Sequence, residues 1–396
     1  MKISRNKWFR ITGTAACLAF FLLFTIRLDL VNRFFNRPKA LEVSSIGPPQ
    51  ARETWMNIFQ NNRKIGFSHT SLAAENQGYL LRESVLMRIN TMGMVQNIQL
   101  KTRGRLKADF SLADFDFNIN SGRFSFHVDG ALSGNVLTVN SASAGSKRRM
   151  EIRLKNKPFL MAGITSAIST VELEAGEKYA FDIFDPATMG QTPVVVEVIG
   201  QEDITIAGSP KSATRVALKF KGTSQIAWID ASGDVLQEKG LLGIRLVKTN
   251  RQDALKGLGM EASTDLTELA SVASNVRIEN PQQLAVLKYE IGGIGDKRIQ
   301  LEGGRQVYKD GILAIRRESL TDLPDHLDPG KFQALEKIYL QPSAFIQADH
   351  QDIRALAQEI ANNKHTPLEK VRALADWVHR NIDKRPVLSL PDALST

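Results

Sequence analysis

Apolar and polar positions alternate over most of residues 53–255, which is the pattern of β-strands with one covered face. The clearest case is Phe115-Asp-Phe117-Asn-Ile119, whose apolar side chains would all lie on one side of a strand. Such strands predict a large antiparallel sheet. The expected strands are Tyr79–Asn90, Met94–Leu106, Ala113–Asn120, Arg123–Asp129, Val136–Val139, Met150–Lys155, Lys178–Phe184, Val194–Ile199, Ala213–Phe220, Ile226–Ile229 and Val235–Lys239.

Two local features add to this sheet. Asn61-Asn62 lies between two apolar-aromatic runs, which is typical of a tight β-hairpin turn. The segment Pro158–Val171 interrupts the alternation with small and apolar residues, and it predicts a short helix over the open face of the sheet. Residues 53–255 are therefore expected to form an antiparallel β-rich domain.

A second, smaller β segment is expected over residues 275–341, after a linker at 256–274 that is rich in Gly, Ser, Thr and Ala. Its better strands are Gln283–Glu290 and Gly311–Arg317. No internal repeat of fixed period is present in the sequence.

The period becomes helical over residues 342–396, which predicts a pair of helices. Asp349 is the expected N-cap of the first helix. The second helix has a capping box, with Thr366 as N-cap, Pro367 in the first turn and Glu369 three residues after the cap. The apolar stripes expected to be buried are Ile353, Leu356, Ala357 and Ile360 in the first helix, and Leu368, Val371, Leu374, Ala375, Val378 and Ile382 in the second.

The N-terminus has a membrane pattern. The uncharged run ITGTAACLAFFLLFTI is flanked by basic residues, and residues 1–32 are interpreted as a signal-anchor or transmembrane helix. A cleaved signal peptide is the main alternative, and a buried soluble helix is another, although the small-x-small cleavage pattern is missing. Residues 33–52 are interpreted as a tether. Four Lys or Arg on each side of the apolar run leave the orientation nearly balanced.

The net charge of +9 is concentrated in this flank. Residues 1–40 hold eight Lys or Arg and one acidic residue, so they carry +7 and the rest of the chain carries +2. Because no basic domain surface is indicated, nucleic acid is not expected as a partner.

Cys17 is the only cysteine, so the sequence after the anchor excludes disulfides, thiolate metal sites and a cysteine nucleophile. The histidines form no zinc-binding helix motif, and Asp325–Asp328 and Ala348–Asp352 place carboxylates beside a histidine only as sequence neighbours. The histidines are His69, His127, His326, His350, His365 and His379. The sequence assigns no catalytic, cofactor-binding or metal residue, and binding residues stay unknown.

A glycine cluster, YEIGGIGDKR, follows an expected strand. It has Gly293 and Gly295, but Arg298 stands where a dinucleotide-binding motif needs its third glycine. The cluster is therefore interpreted as a turn between strands.

The C-terminal sequence YLQPSAFIQADHQDIRALAQEI, followed by TPLEKVRALADWVHRNID and PDALST, resembles the start of a bacterial transglutaminase-like domain. Trp377, Val378 and Ile382 match the family's characteristic helix, where their role is packing. The resemblance implies a papain-like α+β fold and a Cys-His-Asp triad that performs acyl transfer or amide hydrolysis. No triad residue can be assigned in this chain, since the sequence ends before each would occur.

A second resemblance is carried by Trp55-Met-Asn-Ile58, Asn62–Ser68 and Trp228–Val235. These stretches are similar to bacterial envelope proteins with one large curved antiparallel sheet, including the lipoprotein-carrier type. Trp55 and Trp228 are equally interpretable as simple core residues.

Together these patterns predict an α+β, mainly β protein with a transmembrane helix, a large antiparallel sheet, a small second β segment and a C-terminal helical pair. The expected function is that of a single-pass bacterial inner-membrane protein, largely periplasmic, of the transglutaminase-like family and inactive alone. The alternatives are a non-catalytic periplasmic module that binds an acyl chain or lipoprotein, and a scaffold for a separately encoded catalytic half. The expected partners are the lipid bilayer and an envelope protein, peptide or lipid, with no cofactor.

Overall fold

The fold was examined in a computed structural model of the chain. It divides into two units by internal contacts, Met1–Leu266 and Thr267–Thr396, which are treated separately. The structure describes residues 38–40, 51–257 (except 76, 92, 122–123 and 144–145), 265, 267–268, 271–272, 274–292, 300–318, 339–343, 345–383 and 393–394.

Within the described part of the first unit, sixteen strands form a single sheet. The mainly β architecture and the large antiparallel sheet expected from the sequence are therefore confirmed. The strands are β1 (Lys39–Ala40), β2 (Arg52–Gln60), β3 (Arg63–Glu75), β4 (Gly78–Thr91), β5 (Met94–Lys107), β6 (Leu112–Ser121), β7 (Phe124–Ser133), β8 (Val136–Ser143), β9 (Ser146–Arg153), β10 (Pro158–Phe159), β11 (Lys178–Asp185), β12 (Gly190–Ile206), β13 (Ser209–Phe220), β14 (Thr223–Ile229), β15 (Val235–Lys239) and β16 (Ile244–Thr249).

The sheet consists of two runs of consecutive antiparallel strands, β2 to β9 and β11 to β16. They are joined where β16 pairs with β2, with Ile244 opposite Gln60 and Thr249 opposite Trp55. The short strands β1 and β10 both pair with β11 in parallel. The last strand of the first unit, β16, is thus hydrogen-bonded to its first long strand, β2.

The sheet curls so that the inner faces of distant strands meet. Phe115 of β6 and Phe184 of β11 have ring centroids 5.3 Å apart, although many strands separate them in the sheet order. Both rings are buried, and they form part of the core enclosed by the sheet.

Helix α1 (Met161–Ile168) lies against this inner face, as the sequence predicts for Pro158–Val171. The helix backbone lies close to the strands: a Cβ at Gly163 would be in van der Waals contact with Leu106 at 3.4 Å and with Leu81 at 3.8 Å. Ile164, Ala167 and Ile168 of the helix are fully buried. The helix is therefore part of the interior of the sheet, and it forms a wall of the cavity described below.

The predicted hairpin turn is confirmed at Asn61-Asn62, which joins β2 and β3. Both asparagines have positive φ, 47° and 64°, as a type I′ turn requires. A register shift follows between Ile58 and Phe59, because Gly66 pairs with Ile58 while Lys64 pairs with Phe59. Ile65 is the extra residue of this β-bulge.

The two-residue strands β1 and β10 were not expected from the sequence, and neither were strand β16 and helix α2. Strand β16 contains only six residues, IRLVKT, of which every side chain is half-buried, so it shows little alternation. Helix α2 (Arg251–Leu255) is a single short turn, capped by the Asn250 side chain. Its backbone carbonyls accept hydrogen bonds from Lys64.

The second unit contains a three-stranded antiparallel sheet and two longer helices among its described residues. The strands are β17 (Val286–Glu290), β18 (Gln306–Lys309) and β19 (Ile312–Arg316), and the helices are α3 (Gln351–Ala361) and α4 (Pro367–Asn381). The expected capping box of α4 is present, with Thr366 and Glu369 each accepting a hydrogen bond from the other's backbone amide.

Two predictions for these helices are wrong. The N-cap of α3 is His350 rather than Asp349, since the His350 side chain accepts the amide hydrogen bond of Asp352. Neither helix has a fully buried residue. The expected stripe of α3 is half-buried, but Leu368, Val371 and Val378 of the expected α4 stripe are exposed, because the half-buried face of α4 includes Leu374 and Trp377 instead.

The predicted membrane anchor at residues 1–32 lies outside the described residues, as does most of the tether at 33–52. In the part of the chain that is described, none of the helices has both the length and the apolar character needed to cross a bilayer.

Candidate functional site

The inner face of the first unit encloses a cavity of about 350 Å³ that is partly open to solvent. Strands β2, β3, β4, β15 and β16 and helix α1 supply most of its walls. The lining is mainly apolar and includes Met56, Ile58, Val85 and Met87. A smaller cavity of about 210 Å³ adjoins it, and Glu83, Met161 and Ala162 line both.

Two carboxylates, Glu83 of β4 and Glu238 of β15, project into the larger cavity. Strand alternation places Glu83 on the same face as Leu81, Val85 and Met87. Glu238 lies opposite Leu246 of β16, which also lines the cavity. Because β4 and β15 are not neighbours in the sheet, the curl of the sheet brings these two acids to one space.

Each carboxylate has a neutral hydrogen-bond donor as its partner. The Thr102 hydroxyl donates to Glu83 Oε2 over 3.3 Å, and the Gln225 side-chain amide donates to Glu238 Oε2 over 2.9 Å. Among the described residues, neither acid forms an ion pair with a basic side chain. The two carboxylates are therefore stabilised by hydrogen bonds from neutral side chains and not by ion pairs with basic side chains.

Burial raises the pKa values of both acids. Removal from water raises the pKa of Glu238 to about 7, and the nearby charge of Glu83 adds to this effect. Burial likewise raises the pKa of Glu83, although the Thr102 hydrogen bond opposes it. Two like charges in one cavity disfavour simultaneous ionisation, so each carboxylate opposes the ionisation of the other.

A separate ionic cluster lies at one end of the cavity. Arg52 contacts Asp234 through Nε at 3.1 Å and donates to the carbonyls of Gly233 and Ser232 through its other nitrogens. Lys248 binds the same Asp234 at 2.7 Å. These contacts use all three nitrogens of the Arg52 guanidinium, which therefore stabilises the turn between β14 and β15.

Ser68 of β3 provides a further polar group. The residue is buried and lines the cavity. A hydroxyl in the lining can donate to and accept from a polar group inside the cavity.

The histidines considered from the sequence do not converge on a site. His69 lies on the other face of the sheet, stacked on Trp55 at 4.1 Å, with Nε2 at 2.9 Å from Glu53. His127 lies 3.6 Å from Asp129 and 3.7 Å from Asp116. His350 caps α3, the backbone amide of His365 donates to Glu369, and His379 is exposed on α4. Within the described residues, no three His, Cys, Asp or Glu side chains are grouped as a metal would need.

Several other sequence candidates lie outside the described residues: Cys17, Gly293, Gly295, Arg298, His326 and the segment Asp325–Asp328. Trp228 is buried, as the core interpretation predicts, and Trp55 is half-buried.

Sequence reasoning missed Glu83 and Glu238. For Glu83 a signal existed, because a charged residue stands in phase with the apolar Leu81 and Val85 of its strand. For Glu238 the signal is concealed by a β-bulge in its own strand: Trp228 pairs with Gln237 and Ile229 pairs with Val235, so Leu236 is the extra residue and the alternation of β15 is disrupted. Only the curl of the sheet shows that the two acids share a cavity.

The first unit is therefore an antiparallel β domain whose sheet surrounds a short helix and a cavity large enough for a small ligand. No protein-family model and no curated protein sequence matches the chain. Among solved structures, it is similar to a β-barrel-like protein of the domain-of-unknown-function family DUF1849 from Brucella abortus, with 12% identity and a TM-score of 0.41 over 52% of this chain and 98% of that one. A DUF1089 family protein from Pseudomonas aeruginosa matches 52% of this chain and 97% of its own, with 12% identity and a TM-score of 0.28.

These comparisons overturn the expected family. The two solved structures named above are DUF1849 and DUF1089 proteins and not transglutaminase-like proteins, so the identification as a transglutaminase-like protein is wrong. The interpretation as the N-terminal portion of a papain-like, cysteine-dependent enzyme is wrong with it. The residues behind that identification, Trp377, Val378 and Ile382, belong to a capped amphipathic helix, a pattern that unrelated folds share.

The alternative of an acyl-chain or lipoprotein carrier is also not retained. The cavity has two carboxylates among its apolar side chains, and a long hydrocarbon lying against them would supply neither a counter-charge nor a further hydrogen bond.

Proposed function

We propose that the first unit binds a small organic molecule in the cavity enclosed by its sheet. The observation that carries this proposal is the lining itself: a mainly apolar cavity of about 350 Å³ toward which a few polar groups converge. This size and this composition are typical of small-molecule sites, which span roughly 300–1,000 Å³.

The architecture supports a preformed site. The walls belong to long, hydrogen-bonded strands and to a buried helix, so their side chains are held by regular structure. A rigid site loses less entropy on binding than a flexible one. The hydroxyl of Ser68 and the acids Glu83 and Glu238 would then orient the ligand.

The test is a binding comparison between the wild-type chain and Ala162→Phe. Ala162 lies on α1 and lines both cavities, so a phenyl ring there would occupy the space. Three probes of one shape and different charge are used: cyclohexylmethanol, cyclohexylmethylammonium and cyclohexanecarboxylate. We expect at least one probe to bind the full-length wild-type chain in isothermal titration, and the substitution to abolish that binding.

Val95→Phe is the matched control, because Val95 is exposed on β5 and does not line the cavity. It should leave binding unchanged. Circular dichroism checks the fold of both variants, and Ser68→Leu replaces Ala162→Phe if the latter does not fold. Binding that persists in the folded cavity-filling variant, or the failure of all three probes to bind wild type, would refute the proposed function.

A further inference from the structure

The two acids of the cavity lack a counter-ion. Glu83 and Glu238 accept hydrogen bonds from a hydroxyl and an amide, and no basic side chain of the described residues pairs with either. A buried charge without a counter-ion is costly, and the protein relieves this cost by keeping a proton on the pair. A positive group in the cavity would relieve the same cost.

The charges that face the cavity favour a cation over an anion. Arg52 is the cationic side chain of the described lining, and its nitrogens are occupied by Asp234 and the β14–β15 turn. In the adjoining smaller cavity, Lys221 and Asp185 are both present, so this region supplies charges of both signs. Arg52 and Lys248 both pair with Asp234, so Glu83 and Glu238 are the charged side chains of the described lining that have no ionic partner.

Ser68 is an independent sign that a polar ligand group enters the cavity. The residue is buried, and it lies on β3, the strand beside Glu83 on β4. A hydroxyl can accept a hydrogen bond from an N–H group that also donates to a carboxylate. An ammonium group, with three donors, could satisfy Ser68 and both acids together.

We infer that the ligand is a compact organic cation, with a protonated amine held between Glu83 and Glu238 and an apolar body packed on Met56, Ile58 and Met87. This inference rests on the proposed function, because it names the ligand class of the same cavity. A bare divalent metal ion fits less well. Calcium requires six to eight oxygen ligands, and the remaining lining here is largely apolar.

The experiment measures the affinity of the full-length chain for the three matched probes at pH 6 and pH 8. At pH 8 we expect cyclohexylmethylammonium to bind at least tenfold more tightly than cyclohexylmethanol, and cyclohexanecarboxylate to bind most weakly. Ammonium affinity should fall about tenfold from pH 8 to pH 6, as a group of pKa about 7 becomes protonated. The affinity for the alcohol should change little, since the alcohol has no charge.

Glu238→Gln and Glu83→Gln should each remove most of the preference for the ammonium probe and flatten its pH dependence. Glu151→Gln is the control: it removes the same charge from an exposed position on β9 and should retain the wild-type preference.

The outcomes separate the two proposals. If the alcohol or the carboxylate binds as well as the ammonium and Ala162→Phe abolishes that binding, the cavity is a ligand site but the inferred ligand class is wrong. Ammonium selectivity that survives both glutamine substitutions also overturns the inference. Calcium binding that depends on Glu83 and Glu238 and displaces the ammonium probe would assign the pair to a metal. If no probe binds at either pH, both proposals fail.

Discussion

Glu238 illustrates how a single side chain connects the fold to the site. A β-strand normally directs a glutamate to solvent, and placing one on the inner face raises its pKa from 4.5 to about 7 because the ionised form loses water. Glu238 therefore lowers the stability of the folded state when it is ionised. It also places a polar group inside an apolar cavity. Such local conflicts between residue type and environment are common at functional sites.

The pH dependence of stability follows from this raised pKa. The folded chain holds the Glu238 proton up to about pH 7, whereas the unfolded chain releases it near pH 4.5, so the folded state binds more protons in between. The free energy of unfolding should therefore fall as the pH rises through this window, by about 3 kcal/mol from this residue. Glu238→Gln should remove most of that decline.

Urea denaturation of the wild type and Glu238→Gln at pH 4.5 and pH 8 measures this difference. The free energy of unfolding of Glu238→Gln should exceed that of the wild type at pH 8 and should differ little from it at pH 4.5. Equal gains at both pH values would show that burial of the charge is not the cause. Glu151→Gln again serves as the exposed control.

At the scale of elements, the sequence predicts the strands well wherever one side of the sheet is buried. Strand β15 has the expected bounds, and β4 extends one residue beyond each expected end. Strand β12, at 17 residues, is much longer than the expected Val194–Ile199, because its second half forms a hairpin arm with β13 where exposed and half-buried residues alternate. Strand length in such an arm depends on the partner strand, which the local sequence does not specify.

Gly66 of β3 is required by the spacing between β3 and β4. A Cβ at this position would lie 2.1 Å from the backbone oxygen of Leu86, closer than packed atoms can approach. Gly66→Ala should therefore displace the β3–β4 pairing and cost roughly 2 kcal/mol or more of unfolding free energy. Chemical denaturation measures the loss.

Gly240→Ala is the matched substitution, because the nearest atom to its Cβ would be 3.8 Å away. It should change stability by much less. A similar loss in both variants would mean that backbone flexibility, and not the steric contact with Leu86, explains the effect of Gly66→Ala.

The capping box of α4 gives a second prediction for an element. Thr366→Ala removes the side-chain acceptor for the Glu369 amide and should cost about 1 kcal/mol of local helix stability. Amide hydrogen exchange in the first turn should then accelerate about fivefold. Thr366→Ser retains the acceptor and should keep exchange close to the wild-type rate; unchanged exchange in Thr366→Ala would indicate that the cap does not limit opening.

At the scale of the whole molecule, the sequence predicts a large antiparallel sheet and its covering helix but not the space between them. Alternation in each strand assigns residues to two faces, yet the join of β16 to β2 and the meeting of Phe115 with Phe184 depend on long-range curvature. The candidate site arises from that curvature, since it combines residues from strands that are distant in the sheet order. Short motifs in the C-terminal helices, by contrast, led to the wrong family.

The most direct test of ligand binding in the cavity is a titration of the full-length chain labelled with ¹³C at its methionine methyl groups. Met56, Met87 and Met161 line the cavity, whereas Met94 and Met150 do not. On addition of cyclohexylmethylammonium, we expect saturable shifts of the first three methyl signals and little change in the other two. Uniform small shifts, or shifts confined to Met94 and Met150, would contradict it.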